Sequence, residues 1–328
     1  MLVVNLILFI VACIVLSQSS TFVVKSLAKI SYYLKLNEFT IGFILVAVAT
    51  SIPETFIGIM SALDNIPILS VGNVLGSNII DLTLITGIGA LLARKISVES
   101  KIIRKDMIYM FLIAVLPAVL LMDHYIWHWF GLFPNMVQGL SRIDGIILLS
   151  VFVFYIYKLV RQESRFSRTV EYTSRKEATK YALLFLVALV FLLGSSKYVI
   201  EYAKVLSEEL NITPLLIGIF LISLGTTLPE LTFTVKSVMS MHESMAIGDI
   251  IGSVIANSTL VLGVTAIITP ITVNSLIFLT STLFMIFSAF IFLTFAESES
   301  GISWREGISL IMLYFLFVIV ETYIKGPM

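Results

Sequence analysis

The sequence predicts an all-α polytopic membrane protein, with ten transmembrane helices arranged as two inverted five-helix repeats. Three observations predict this. Only 13% of the 328 residues are charged and 58% are hydrophobic, whereas a soluble domain carries roughly a quarter charged residues. Apolar stretches of membrane length recur along the whole chain, and its mean hydropathy is +1.03. Two segments of the first half return, without a gap, 176 positions later.

A membrane span needs roughly 20 apolar residues. Ten segments qualify: 3–28, 39–63, 67–92, 106–122, 143–161, 179–203, 213–239, 244–269, 272–296 and 304–324. The first starts at Leu2 with no basic stretch before it and no small-residue cleavage site after it, so it reads as a retained helix rather than a signal peptide. The second carries "ATSIPETF" (49–56), a proline and a glutamate in the middle of a span. The third is rich in glycine, serine and asparagine. The fourth and fifth flank "DHYIWHWFGLF" (123–133), an aromatic stretch that reads as an interfacial belt or short in-plane helix. A polar run, "RQESRFSRTVEYTSRKEATK" (161–180), separates five spans from five. The chain therefore divides into a first repeat at 1–161 with its core motif at 36–92, a linker at 162–178, and a second repeat at 179–328 with its core motif at 212–269. The seventh span carries "GTTLPELT" (225–232), matching the second, and the eighth matches the third.

Lys and Arg near span ends favour the cytoplasmic side. With the N-terminus outside, seventeen of the 21 basic residues fall inside, and only Arg142, Lys197, Lys204 and Lys325 fall outside. Both termini are then external, the 162–178 linker is cytoplasmic, and the chain is a multi-pass protein of the cell membrane. Basic and acidic residues balance at 21 each, which gives no sign of a nucleic-acid partner. A single cysteine, Cys13, excludes an intramolecular disulfide and a zinc site of Cys/His type. His124, His128 and His242 sit in loops or interfaces and receive no role.

The internal repeat is specific. "IGFILVAVATSIPE" (41–54) aligns with "IGIFLISLGTTLPE" (217–230), and "SVGNVLGSNIIDLTLITGIGA" (70–90) with "AIGDIIGSVIANSTLVLGVTA" (246–266). Unrelated apolar segments share Leu and Ile by chance, but not Pro-Glu and Gly-Ser at one offset. Each half holds an odd number of spans, so the second enters the membrane from the opposite side. Inverted repeats with interrupted hydrophobic segments at matching positions point to a secondary transporter and to its site.

The chemistry of these segments is all oxygen. Proline lacks an N–H and crowds the carbonyl four residues before it, so Pro53 and Pro229 are expected to loosen the helix just ahead of Glu54 and Glu230. Thr50 and Thr226 lie one helical turn before those glutamates, on the same face, and Ser51 and Thr227 flank it. In the following spans Ser77 and Asp81 share a face, as do Ser253 and Asn257, with Asn73 and Asp249 one turn back. Gly72, Gly76, Gly248 and Gly252 permit close backbone approach. Proline in a membrane helix is often a plain kink, and Ser or Thr there often bonds its own backbone. A carboxylate at mid-span is different: its insertion costs about 2.5–3.5 kcal/mol even on a lenient scale, and such residues mark function. Glu54, Glu230, Asp81 and Asp249 are expected to converge near the midplane. Hard oxygen donors without soft ligands suit Ca²⁺, Na⁺ or Mg²⁺.

Twin "A/G-T-S/T-x-P-E" helices, each followed by "G-N/D-x-x-G-S", in two inverted halves, resemble the calcium/cation antiporter superfamily, and within it prokaryotic sodium/calcium exchangers. The resemblance spans the chain and is sharpest over 36–92 and 212–269. It implies a cluster of cation sites at the membrane midplane, one favouring Ca²⁺ and the others Na⁺, with several Na⁺ exchanged for one Ca²⁺ while the first and sixth helices slide across the core. Carried onto this sequence, the ligands would be Glu54, Glu230, Thr50, Ser51, Thr226, Thr227, Ser77 and Ser253, with backbone oxygens from Ala47 and Ser223. It implies no cofactor and no enzyme activity; inorganic cations and the lipid bilayer are the expected partners of a monomer. Relatives of this type carry asparagine in the first repeat and the acid in the second at the position where this chain has Asp81 and Asn257. They also carry asparagine where it has Asp249. A H⁺/Ca²⁺ antiporter, or a K⁺-coupled exchanger, using the same carboxylates is the alternative. An intramembrane aspartyl protease would need Gly-x-Gly-Asp, and residues 246–249 read Ala-Ile-Gly-Asp.

Overall fold

A bilayer offers backbone groups no partner except each other, so apolar runs of this length fold as helices. The computed structural model describes residues 2–33, 51–98, 101–121, 139–163, 175–273, 276–298 and 301–324. The long helices are α1 (Leu2–Tyr33), α5 (Lys101–Leu121), α6 (Arg142–Glu163), α7 (Arg175–Glu209), α13 (Leu276–Glu297) and α14 (Trp304–Ile324). The inner segments are interrupted. α2 (Ile52–Leu63) precedes α3 (Pro67–Ile80), which passes through a π-helical turn, π1 (Asp81–Ile85), into α4 (Thr86–Ala93). In the second half α8 (Pro214–Ile217), π2 (Gly218–Ile222) and α9 (Ser223–Thr226) lead to α10 (Leu228–Met239). α11 (Glu243–Ala256), π3 (Asn257–Val261) and α12 (Leu262–Ile268) follow.

Nine of the ten spans expected from the sequence fall on these elements; of the tenth, 39–63, only residues from Ser51 onward are described. The aromatic stretch at 123–133 and the middle of the linker, 164–174, also lie outside the described residues. By length and apolar composition six of the described helices can cross a membrane, or seven counting the bent pair Pro214–Thr226 and Leu228–Met239. The sequence repeat is a structural one: α2, α3 and π1 recur as α10, α11 and π3, every boundary displaced by 176 residues.

The helices sort into an inner and an outer set. Within an apolar 18-residue stretch of Pro67–Ala93 and of its counterpart Glu243–Ile268, 83% of the residues are buried, against 33% in such stretches of Leu2–Val23, Lys176–Glu209 and Leu276–Glu297. The outer helices turn large apolar side chains outward, among them Val3, Ile143, Phe154 and Val190; an apolar belt of this kind would be an aggregation hazard in water and is ordinary against lipid. α1 and α7 pack on each other along their length and meet the inner helices through α2, α8 and α9. The Lys204 ammonium, 2.7 Å from Asp64 Oδ2, ties α7 to the end of α2.

Two short antiparallel pairs join the halves, Lys95–Ser97 with Gly301–Ser303 and Gly139–Leu140 with Ile271–Thr272. The helices after them start with the same device. Ser141 N–H and Oγ donate to Asp144 Oδ2 at 2.8 and 2.7 Å, and Ser303 N–H and Oγ donate to Glu306 Oε2 at 2.8 and 2.7 Å. A side chain three residues into the helix thereby satisfies donors at its start.

The inner helices cross at glycine. A Cβ on Gly72 would lie 2.2 Å from the Leu215 carbonyl oxygen and 3.0 Å from Gly218 Cα, and one on Gly218 would lie 2.5 Å from the Leu69 carbonyl oxygen. The backbones of α3 and π2 are therefore in contact, an approach only small residues allow. A Gly72→Ala substitution overpacks a backbone-to-backbone contact, a change that costs about 1–3 kcal/mol. It is expected to lower the melting temperature in detergent by several degrees. Gly194→Ala, where nothing lies within 4 Å of the new methyl group, should leave it unchanged or raise it.

Candidate functional site

Pro53 and Pro229 each lie in the first turn of a described helix. Ser51 (φ −84°, ψ 9°) and Thr227 (φ −83°, ψ 2°) share one non-helical conformation, and each proline follows in the first turn of α2 or α10. Proline is tolerated there because the first-turn N–H groups have no helical acceptor. The chain bends by 43° between the segments ending at Thr226 and beginning at Leu228. The break sets Glu54 and Glu230 in the first turns of α2 and α10, where the helix dipole favours negative charge.

Glu54, Asp81, Glu230 and Asp249 are all buried. Both carboxylate oxygens of Glu54, Asp81 and Glu230 lack a hydrogen-bond partner of ordinary geometry among the described residues. The Thr226 and Ser77 hydroxyls face the Glu54 carboxylate. The four acids lie within electrostatic reach of one another: Glu230 feels Glu54, Asp81 and Asp249, and Asp81 feels Glu54 and Asp249. Among the described residues no three Asp, Glu, His or Cys side chains enclose a single point as a metal cage would. The acids thus share one electrostatic environment.

Neutral ligands expected from the sequence stand around them. Thr226 Oγ1 donates to Asn73 Oδ1 at 3.1 Å and lies 3.4 Å from Ser77 Oγ, so α3 and α9 are joined beside Glu54. Ser51 Oγ is buried with no hydrogen-bond partner among the described residues. Ser253 and Asp249 are buried on α11. Two residues point elsewhere. The Thr227 hydroxyl donates to the Ser223 carbonyl at 2.8 Å, and the Ser223 hydroxyl donates to the Ile219 carbonyl. The Ser223 carbonyl, an expected ligand, also accepts from Thr227 N–H at 3.0 Å and from the Thr226 hydroxyl at 3.3 Å. Thr50 and Ala47 lie outside the described residues.

The π-turns begin at site residues, π1 at Asp81 and π3 at Asn257; such wide turns often occur at functional sites. Threonines serve the backbone beside them. Thr86 Oγ1 donates to the Asp81 carbonyl at 2.6 Å and Thr259 Oγ1 to the Ile255 carbonyl at 2.5 Å. Sequence reasoning missed Asn78 and Ser258. Asn257 Nδ2 donates to Asn78 Oδ1 at 3.1 Å, and Asn78 Nδ2 donates to Ser258 Oγ at 3.0 Å. The signal was in the repeat: Asn78 stands opposite Val254 and Ser258 opposite Leu82, polar against apolar at the 176-residue offset. An apolar cavity between Leu75, Pro117, Leu121, Ser258, Phe278 and Met285 contains none of the four carboxylates.

Buried acids among hydroxyls and amides, inside a shell of lipid-facing helices, define a multi-pass membrane protein of the cation-transporter kind. The chain belongs to the sodium/calcium exchanger protein family, whose model matches residues 4–161 and 180–323. It is 29% identical to the sodium/calcium exchanger MaX1 of Methanosarcina acetivorans, over 99% of this chain and 100% of MaX1. It is 35% identical to the inner membrane protein YrbG of Escherichia coli, over 70% of this chain and 69% of YrbG. It is 30% identical to the putative antiporter CaxA of Alkalimonas amylolytica, over 79% of each chain. Its fold matches the solved structure of the sodium-calcium exchanger NCX_Mj soaked with 10 mM Na⁺ and zero Ca²⁺, with a TM-score of 0.67 at 24% identity over 97% of this chain and 99% of that one.

Like charges buried together repel, and each loses its hydration at a cost of several kcal/mol. Without bound cations the acid cluster should therefore oppose folding. Glu230→Gln is expected to raise the melting temperature in cation-free detergent by a few degrees, at roughly 2–4 °C per kcal/mol. If bound cations offset that repulsion, Ca²⁺ should stabilise the variant less than the wild type in a thermal-shift titration.

Proposed function

We propose that the protein is a secondary active antiporter that exchanges Na⁺ for Ca²⁺ across the cell membrane by alternating access. The observation that carries the reading is the buried group of Glu54, Asp81 and Glu230, whose oxygens make no hydrogen bond of ordinary geometry among the described residues. A buried carboxylate without a donor is costly unless a cation completes it. In this reading Glu54 and Glu230 bridge the two repeats and hold Ca²⁺ with Thr50 and Thr226. Na⁺ is held by oxygens including Asp81, Ser77, Ser253 and Asn257, with Ser51, Thr227, Asn73, Asp249 and the carbonyls of Ala47 and Ser223 as further candidates. Both ion loads neutralise the same acids, so they compete. An empty carrier keeps uncompensated buried charge and resists switching, which favours exchange over leak. The proposed architecture is ten transmembrane helices in two inverted repeats of a monomer, with α1 and α7 as the part that moves against the core. Family membership and the name of the relative MaX1 support this reading.

Asp249 favours one competing reading. A fourth buried carboxylate is more than Na⁺ ligation by hydroxyls and carbonyls needs, and carboxylates carry protons. H⁺/Ca²⁺ exchange is the second reading.

Proteoliposomes loaded with Na⁺ should take up radiolabelled Ca²⁺ when diluted into Na⁺-free buffer, and Glu54→Gln or Glu230→Gln should abolish that uptake. Retained gradient-driven uptake by either variant would sink the ligand assignment. Uptake driven by a pH gradient without Na⁺ would decide for proton coupling.

The proposed orientation places both termini outside and residues 162–178 in the cytoplasm. In a Cys13→Ala background, Lys325→Cys should react with an impermeant maleimide on intact cells, and Arg168→Cys only after permeabilisation. The reverse labelling pattern would invert the topology.

A further inference from the structure

We propose that Asn78, which no ligand assignment includes, is a positioning residue for the site: it fixes which face of the Asn257 amide is offered to a cation. This inference rests on the cation-exchange reading above. An asparagine side chain has one face that accepts and one that donates. Only the oxygen can serve a cation, and a flipped amide would present N–H groups instead. Asn257, at the start of π3, is wholly buried, so water cannot settle its orientation.

A chain of hydrogen bonds settles it. Asn78 Nδ2 lies 3.5 Å from Met285 Sδ on α13 and 3.0 Å from Ser258 Oγ. A thioether sulfur can accept but has no proton to donate, so the nitrogen of Asn78 must face it. Asn78 Oδ1 is then turned the other way, where it accepts from Asn257 Nδ2 at 3.1 Å. Asn257 is left with its nitrogen engaged and its carbonyl oxygen buried without a donor among the described residues.

The repeat supplies an internal control. At the 176-residue offset Asn257 corresponds to Asp81, Asn78 to Val254 and Ser258 to Leu82. Asp81 is a carboxylate, with two equivalent oxygens, and presents an acceptor whichever way it turns. Asp81 needs no orienting relay, and the positions that the repeat relates to Asn78 and Ser258, Val254 and Leu82, are apolar. The polar chain, drawn from both repeats, ends on the ligand that is an amide.

The test is a double-mutant cycle on the purified full-length protein, read by Na⁺- and Ca²⁺-dependent thermal stabilisation and by exchange in proteoliposomes. Loss of a partner that orients a metal ligand typically costs about 10–100-fold in affinity. Asn78→Val, which copies the residue of the other repeat, should raise the half-saturating concentration of at least one of the two cations about tenfold. Ser258→Ala, a smaller change that removes one anchor of Asn78, should act in the same direction by about threefold. In an Asn257→Asp background, where either face is an oxygen, both substitutions should shift half-saturation by less than about twofold from that background. A merely structural role would give the same loss in both backgrounds, and that result overturns the proposal. So does half-saturation within about twofold of wild type for both cations in Asn78→Val. If Asn78→Val does not fold, the Ser258→Ala arm alone decides by the same criterion. Absence of any cation-dependent stabilisation or exchange in the wild type would instead overturn the cation-exchange reading itself.

Discussion

The contact on which the site depends is the crossing of α3 and π2 at Gly72 and Gly218. Backbone meets backbone there, with Gly72 against the Leu215 carbonyl and Gly218 against the Leu69 carbonyl. That contact brings Asn73 and Ser77 of α3 beside Thr226 of α9, and these hydroxyls face Glu54 on α2. A larger residue at either glycine would push the helices apart by the width of a methyl group. The oxygen-lined region would open by the same amount, and ligand geometry tolerates little of that.

The energetic problem of the molecule is that it buries acids in its membrane-embedded core. Stability there comes from close packing and from satisfied backbone groups, since apolar contact with lipid and with protein are nearly equivalent. The acids are held by devices that do not neutralise them. Glu54 and Glu230 sit at helix starts that contain proline, and threonine hydroxyls cover nearby carbonyls. The remaining deficit is a strong field for hard cations.

The two halves are related but not identical, and their differences compensate. Gly58 of α2 packs against Thr265 of α12, while at the corresponding contact Thr234 of α10 packs against Gly89 of α4. Each interface thus holds one glycine and one threonine, with the order exchanged. The same exchange relates Asp81 to Asn257, and the Asn78–Ser258 chain accompanies the amide. In the outer hairpins, Lys158 bonds Asp106 at 3.4 Å in the first half, and in the second Thr280 and Ser281 donate to Glu321 Oε1 at 2.7 and 2.8 Å. Both are polar ties between neighbouring helices, made with different chemistry.

The sequence by itself determined the membrane class, the helices, the repeat and the identity of the acids. Hydropathy, the burial cost of Glu54 and Glu230 and the 176-residue offset are properties of single segments, readable without knowing what packs on what. It also determined that Asn73, Ser77 and Thr226 belong near the acids, because helical spacing and the repeat place them on the motif segments. Only the tertiary structure decided that Pro53 and Pro229 fall in the first turns of α2 and α10, and that the Thr227 hydroxyl turns to its own backbone. Likewise, only the fold brought Asn78 to Asn257, Ser258 and Met285, partners about 180 and 207 residues away. Residues so far apart in sequence meet because α3 packs on both π3 and α13. Which donor then faces which acceptor is fixed by that contact and by no local pattern.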